Sequence, residues 1–253
     1  MNIISIAAAA CAVSLALSAA SPVVKPATAQ LGKVMHAGGA VMIDGECVRG
    51  SNSFEGLVRC AESGESAVEL DFIFTSDGRL VCAHDWEGRK SIPEYEEFMT
   101  EVVSSRLTPL DAEAVVRFMR ENEEITLVTD IKDERFEEAL AALSDAAGEI
   151  KERVVVQIYS EEQLVTARAC GFERVIYTLY RLTWDEKNDC ERVGKFAREN
   201  GLFGITFDAE LCLIDGYVLK MLESGVPLYV HTVEARDAQR YYDMGISGIY
   251  TDG

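Results

Sequence analysis

The 253-residue chain carries 43 Asp and Glu against 24 Lys and Arg, a net charge of −19. That balance excludes a nucleic-acid binder built on a basic stripe, because nothing would neutralise the phosphates. Length and an unbiased Gly and Pro content point to one large domain with a sizeable core, not to a repeat or low-complexity protein. In chain order the first element is a leader. Ile3 through Ala20 is apolar and Ala-rich, and Ala27-Thr28-Ala29 before Gln30 matches a signal peptidase site. No Lys or Arg precedes the apolar run, so a membrane anchor formed by residues 3–20 is the alternative. The expected organisation is a signal peptide or anchor over 1–29 and one barrel domain over 30–253. The protein is then exported (periplasmic, extracellular or envelope-associated), and touches a membrane only through a retained N-terminal segment.

From Lys33 onward, apolar strand-like runs fall at 33–36, 67–73, 80–84, 125–131, 153–159, 174–179, 203–207, 226–232 and 248–251. Amphipathic helical stretches lie between them, near 53–63, 109–121, 134–147, 161–169, 188–200, 215–223 and 235–243. Asn52 and Glu55 mark the start of the first helix, and Thr108, Pro109 and Asp111 that of the second. The link Thr75-Ser76-Asp77-Gly78 is too short for a helical crossover, and Asp-Gly is a hairpin signal. Residues 67–84 therefore read as one β-hairpin whose second arm folds over the mouth. Eight parallel strands remain, the count of an α/β (β/α)8 TIM-type barrel. Cys47, Cys60, Cys82, Cys170, Cys190 and Cys212 remain after the leader, with no C-x-x-C spacing. Their even number permits disulfides outside the cytosol; buried free thiols are the alternative, above all for Cys82 and Cys212.

Chemistry concentrates in one window. His36 ends the first strand ahead of Gly38 and Gly39, which let a ligand approach the backbone. Glu69 and Asp71 are two apart and share a strand face. The hairpin sets His84 opposite Asp71, or opposite Glu69 if the turn centres one residue earlier. Histidine moves protons near neutral pH, and clustered carboxylates hold hard cations, which together suggest metal-assisted hydrolysis. Glu69 and Asp71 could instead form a structural ion pair, but no basic residue flanks them, and unpaired carboxylates on an apolar strand are costly without a cation. Alone, His36 would read as a buried structural histidine. Lys132 shares a strand face with Asp130, where it could neutralise the acidic cluster. Gln157 and Tyr159 are candidate substrate-rim groups on the next strand. Trp86, Tyr180 and His231 read as packing or rim residues, and the acidic runs Glu94–Glu97 and Glu121–Glu124 as solvated faces.

The stretch Val34–Asp85 resembles the start of a glycerophosphodiester phosphodiesterase, a family of phospholipase-C-like phosphodiesterase barrels. Family features with counterparts here are His-Arg-Gly at His36, Glu-Asn-Thr at Ser51-Asn52-Ser53, Glu-Leu-Asp at Glu69-Leu70-Asp71, and a Thr-x-Asp-Gly turn before His84-Asp85. Weaker matches follow at Thr129-Asp130-Ile131-Lys132, Val230-His231-Thr232-Val233 and Gly248-Ile249-Tyr250-Thr251-Asp252. The resemblance implies one divalent cation held by Glu69, Asp71 and Asp130, with all-oxygen ligands favouring Mg²⁺ or Ca²⁺. It implies His36 and His84 as an acid–base pair, without saying which is the acid, and Lys132 and Asn52 as substrate-binding groups. Its substrate class is glycerophosphodiesters or related small or lipid-derived phosphodiesters.

Three departures stand out. Ala37 replaces the arginine that would contact phosphate, Ser51 replaces a glutamate, and Asp130 is one methylene shorter than the family's third metal-binding glutamate. A methyl group does not replace a bidentate clamp, so Arg181, just past a strand at the mouth, is the candidate substitute. The expected activity is metal-dependent phosphodiester hydrolysis. The alternatives are a phospholipase or phospholipase-D-like lyase on the same barrel, marked by an apolar rim, and a non-catalytic phosphodiester-binding barrel.

Overall fold

The computed structural model describes residues 30–100 and 106–253. The leader or anchor expected over 1–29 lies outside them. Among the described residues no helix is long and apolar enough to cross a membrane. β1 (Lys33–Met35) leads through a 3₁₀ turn (His36–Gly38) into a hairpin of β2 (Val41–Ile43) and β3 (Glu46–Val48). Next come α1 (Phe54–Glu62), β4 (Ala67–Phe74), β5 (Leu80–Cys82), α2 (Tyr95–Thr100) and α3 (Ala112–Glu121). They are followed by β6 (Thr126–Ile131), α4 (Phe136–Ala147), β7 (Val154–Ile158), α5 (Gln163–Ala169) and β8 (Arg174–Thr178). The chain closes with α6 (Trp184–Asn188), α7 (Cys190–Glu199), β9 (Gly204–Asp208), α8 (Tyr217–Leu222), β10 (Leu228–His231), α9 (Ala238–Asp243) and β11 (Gly248–Thr251).

The strands run in the order β1-β11-β10-β9-β8-β7-β6-β4, and β1 pairs with β4 to close the ring. All eight are parallel, so the architecture is a (β/α)8 barrel. Parity then assigns each side chain. Val68, Leu70 and Phe72 of β4 pack outward with the helices, while Ala67 joins Val34, Val128, Val155, Ile176 and Tyr229 in an apolar layer inside the barrel. The Tyr229 ring fills that layer because two facing positions are glycine. A Cβ on Gly204 would stand 2.5 Å from the ring, and one on Gly248 2.9 Å from it and 2.1 Å from the Leu31 carbonyl oxygen.

The hairpin over 67–84 forms with a different register. Phe72 pairs with Cys82 and Phe74 with Leu80, across a three-residue loop centred on Asp77. Thr75 closes it by accepting from Gly78 and Arg79, and Gly78 takes φ +80. An odd loop puts His84 level with Leu70, which faces outward, so His84 lies opposite neither Asp71 nor Glu69. Pairing also stops at Cys82, whose amide donates to the Leu110 carbonyl at 2.9 Å and leads the chain away.

Two helix starts shift as well. The α3 cap is Asp111, accepting from the Ala114 amide at 2.7 Å, because Thr108 is held by Glu55 through its amide and hydroxyl. The α1 cap is Ser53, because the Asn52 side chain is engaged elsewhere. The β2–β3 hairpin was readable at Asp44-Gly45, a two-residue turn with φ +50 and +85. The short helix α6 was readable from the Thr183/Glu186 capping box. All six described cysteines are free thiols, so the disulfides their number permitted do not form.

Candidate active site

The C-terminal ends of the barrel strands surround a cleft of about 260 Å³. It is lined by His36, Glu69, Asp130 and Lys132 from the β1, β4 and β6 side, and by Asp208, His231 and Tyr250 from the β9, β10 and β11 side. Larger open grooves occur on the exterior, one of about 620 Å³ beside Arg79, Glu113 and Arg120. Among the described residues they hold no acidic cluster able to bind a metal.

The site begins where β1 ends. Ala37, Gly38 and Gly39 all take positive φ, at 45, 83 and 75. For Ala37 that conformation costs roughly 1–2 kcal/mol. It turns the Ala37 amide inward, where it donates to Glu69 Oε2 at 2.7 Å. The glycines serve the backbone: a Cβ on Gly56 of α1 would stand 2.8 Å from the Gly38 carbonyl oxygen, so turn and helix meet backbone to backbone. The His36 ring is anchored through Nδ1, 2.9 Å from Asp252 Oδ1. Burial opposes a charge on this ring. The Asp252 hydrogen bond and the nearby Glu69, Asp252 and Asp71 carboxylates outweigh burial and raise its pKa to about 9. Asp252 is correspondingly held below the usual carboxylate range by His36.

Glu69, Asp71 and Asp130 are buried and each offers an oxygen within 4.8 Å of the others. Asn52 clamps Asp71 from both ends: its amide donates to Oδ2 at 2.8 Å, and its side-chain oxygen accepts from the Asp71 backbone at 2.9 Å. Lys132 Nζ lies 2.9 Å from Asp130 Oδ2 and 3.2 Å from Asp71 Oδ1. Burial works against that ammonium, but the two carboxylates outweigh it and hold its pKa above the ordinary lysine value. So a basic residue does stand beside Asp71, brought from the neighbouring strand. Asp130 also accepts from the hydroxyls of Tyr159 and Tyr180. Glu69 differs. Its Oε1 is buried with no hydrogen-bond partner. Burial, then the adjacent Asp71, raise its carboxyl to about 8, despite the pull of His36. Uncompensated burial of a carboxylate costs several kcal/mol. An all-oxygen cluster with one orphaned oxygen fits a hard divalent cation.

The other expected residues divide. Gln157 lines the cleft and accepts from the Thr178 hydroxyl at 2.7 Å. Arg181 stacks on Tyr159 at 3.7 Å from the ring centroid and donates to the Ile131 carbonyl at 2.8 Å, so it buttresses Asp130 from outside the cleft lining. Asn52 likewise acts on Asp71 and does not line the cleft. His84 is exposed on the loop after β5, with Nδ1 2.6 Å from Asp85 Oδ2, and is not in the cleft lining. Trp86 packs edge-on against Phe98 and donates to the Phe74 carbonyl. His231 sits at the rim, and its Nδ1 lies 3.0 Å from the Thr206 hydroxyl.

Asp252, Asp208 and Tyr250 were missed as site residues, although period-two alternation would have found them. Each lies an even number of positions from an inward-facing residue of its own strand: Gly248 to Tyr250 to Asp252, and Gly204 to Thr206 to Asp208.

The barrel is similar to solved structures of glycerophosphodiester phosphodiesterases. One from Parabacteroides distasonis has a TM-score of 0.68 at 21% identity, over 88% of this chain and 94% of that one. One from Agrobacterium tumefaciens has a TM-score of 0.62 at 16% identity, over 88% and 96%. An Oleispira antarctica phosphodiesterase, solved with its product sn-glycerol-3-phosphate, has a TM-score of 0.66 at 16% identity, over 88% and 93%. At these identities the likeness establishes the fold. No family model and no curated protein matches the chain. Fold and site together define a (β/α)8 barrel with a buried acidic cluster at its mouth.

Proposed function

We propose that this protein is a metal-dependent phosphodiester hydrolase of the glycerophosphodiester phosphodiesterase kind, acting on glycerophosphodiesters or related small or lipid-derived phosphodiesters. The observation that carries the reading is the Glu69, Asp71 and Asp130 cluster with its unpartnered Glu69 Oε1, set in a cleft beside an anchored histidine. The motifs at His36, Glu69-Leu70-Asp71 and His84-Asp85 support it, as does the likeness of the whole barrel to solved members of that kind. The product complex of the Oleispira antarctica protein supports a small phosphate ester as ligand.

Glu69, Asp71 and Asp130 would hold one divalent cation, Mg²⁺ or Ca²⁺, and that cation supplies polarisation of the phosphoryl oxygens when bound. Asp252 orients His36 through Nδ1, so Nε2 is where this ring takes or gives a proton. Lys132 brings positive charge to the phosphate where Ala37 offers none. His84 is the second proton-transfer group. Tyr159, Tyr180 and Arg181 fix Asp130, whose shorter side chain has less reach of its own. Residues 1–29 support export by the same leader reading.

The test is hydrolysis of glycerophosphocholine and bis-p-nitrophenyl phosphate with Mg²⁺, Ca²⁺ or EDTA, beside His36→Ala, His84→Ala and Glu69→Gln. Metal-dependent turnover should fall by about 10²–10⁴ in each histidine variant and at least as far in Glu69→Gln. Turnover untouched by EDTA, or retained in Glu69→Gln, would overturn the metal assignment. Full activity in His84→Ala would remove that residue alone.

A further inference from the structure

The β2–β3 hairpin is an excursion between His36 and α1, and none of its residues lines the cleft. Its tip is strapped down by Arg106, 3.2 Å from Asp44 Oδ2 and 2.7 Å from Glu46 Oε2. The two-residue Asp44-Gly45 turn pairs Val41 with Val48, so Arg49 comes level with Ala40 at the hairpin's base. Ala40 is where the chain meets the end of β11, its amide donating to the Asp252 carbonyl at 2.6 Å. That register sets the Arg49 side chain beside Asp252, and a slip of one residue would turn it to the other face. Arg49 Nη1 lies 3.1 Å from Glu234 Oε1, on the loop after β10, and 3.5 Å from Asp252 Oδ2. The other Asp252 oxygen anchors His36 Nδ1 at 2.9 Å.

Among the described residues, His36 and Arg49 are the side chains that hold the Asp252 carboxylate. The terminal torsion of an aspartate is broad, so a carboxylate held at one oxygen swings freely. A guanidinium at the second oxygen fixes its plane, and with it the direction in which His36 Nε2 points. Magnitudes separate this role from a structural one. Arg49 is half-exposed, and an exposed ion pair is worth about 0–1 kcal/mol of stability. A displacement of about 1 Å in a reacting group, by contrast, can cost about 10²-fold in rate. We infer that Arg49 is a positioning residue for proton transfer, acting through Asp252 to keep the His36 ring aimed into the cleft. The inference rests on the reading of His36 as a proton-transfer group, and it gives the β2–β3 hairpin a task in the reaction.

The experiment is steady-state hydrolysis of glycerophosphocholine by the full chain with Mg²⁺ or Ca²⁺, in Arg49→Gln, Arg49→Lys, Asp252→Asn and the Arg49→Gln/Asp252→Asn double variant. Arg49→Gln should lower kcat about tenfold, with KM and melting temperature close to those of the wild type. Arg49→Lys, which keeps the charge, should recover most of that loss. In the Asp252→Asn background, Arg49→Gln should cost less than about twofold, because the group it acts through is already gone. Losses that multiply in the double variant, a kcat within about twofold of wild type in Arg49→Gln, or a change confined to KM would overturn the inference. The proton resonance of His36 Nδ1–H bonded to Asp252, read by NMR without substrate, tests the same link independently of turnover. It should shift or broaden in Arg49→Gln and persist in Arg49→Lys; a resonance indifferent to Arg49 would also sink the inference. Should that resonance respond while the wild type hydrolyses no diester with either metal, the hold of Arg49 on His36 stands and the hydrolase reading falls.

Discussion

The two layers inside the barrel are built from the same strands and differ in almost everything else. One step of two residues takes Ala67 to Glu69, Val128 to Asp130, Val155 to Gln157, Ile176 to Thr178, Val34 to His36 and Tyr229 to His231. The inner layer is apolar, and Tyr229 fits between Gly204 and Gly248 with no room for another atom. The outer layer buries carboxylates, one with an unpartnered oxygen, and holds Ala37 and Asn52 in left-handed conformations. Strain and unmet polarity thus gather in one layer, while the other supplies the packing that tolerates them.

That contrast can be broken from the packing side. Tyr229→Ala should cost about 3–5 kcal/mol of stability, read by denaturant unfolding, because the cavity lies between rigid backbone and cannot collapse. A loss under about 1 kcal/mol would mean the inner layer is not the support described here. A smaller effect probes the outer layer. Asn52→Ala frees Asp71 at both ends, and should weaken divalent cation binding by about 10–100-fold and cost about 1–3 kcal/mol of stability, since two buried groups lose their partner.

The smallest effect is a pH dependence of the cation-free protein. Glu69, raised to about 8, and His36, raised to about 9, both bind protons more tightly folded than unfolded. His36 contributes its full stabilisation below its ordinary value near 6.5, and loses it as pH rises through about 9. Ionising Glu69 on the way to about 8 acts in the same direction. Thermal unfolding without metal should therefore move to lower temperature as pH rises from about 6.5 to 9. Added Mg²⁺ should restore more stability at the upper end, since the cation competes with the Glu69 proton. A Mg²⁺ effect that shrinks with rising pH would count against Glu69 as a ligand.

Glu69 and Asp71 were legible as a pair because strand alternation is local: side chains two apart share a face wherever the strand goes, while Asp130, on another strand, joined them only through the family resemblance. His84 was not legible, since its place depends on whether a turn holds two residues or three, and Thr75 and Gly78 settle that through bonds to Arg79 and each other. Asn52 and Thr108 read as helix caps by local chemistry, yet each meets a stronger partner far along the chain, Asp71 and Glu55. Arg181 reached the mouth as its position implied, but Tyr159 and the Ile131 carbonyl hold it behind Asp130.

By itself, the sequence determined the alternation of strands and helices, the eight strands of the barrel, and which strand carries each acid, because these follow from period and from hydrophobic burial along one stretch of chain. Only the tertiary structure decided that Asp252 anchors His36 across 216 positions, that Lys132 bridges two strands, and that Asp208 and His231 face the cluster. Those are partnerships across a closed ring. Which strands end up opposite one another is fixed by closure of the barrel and not by any single segment.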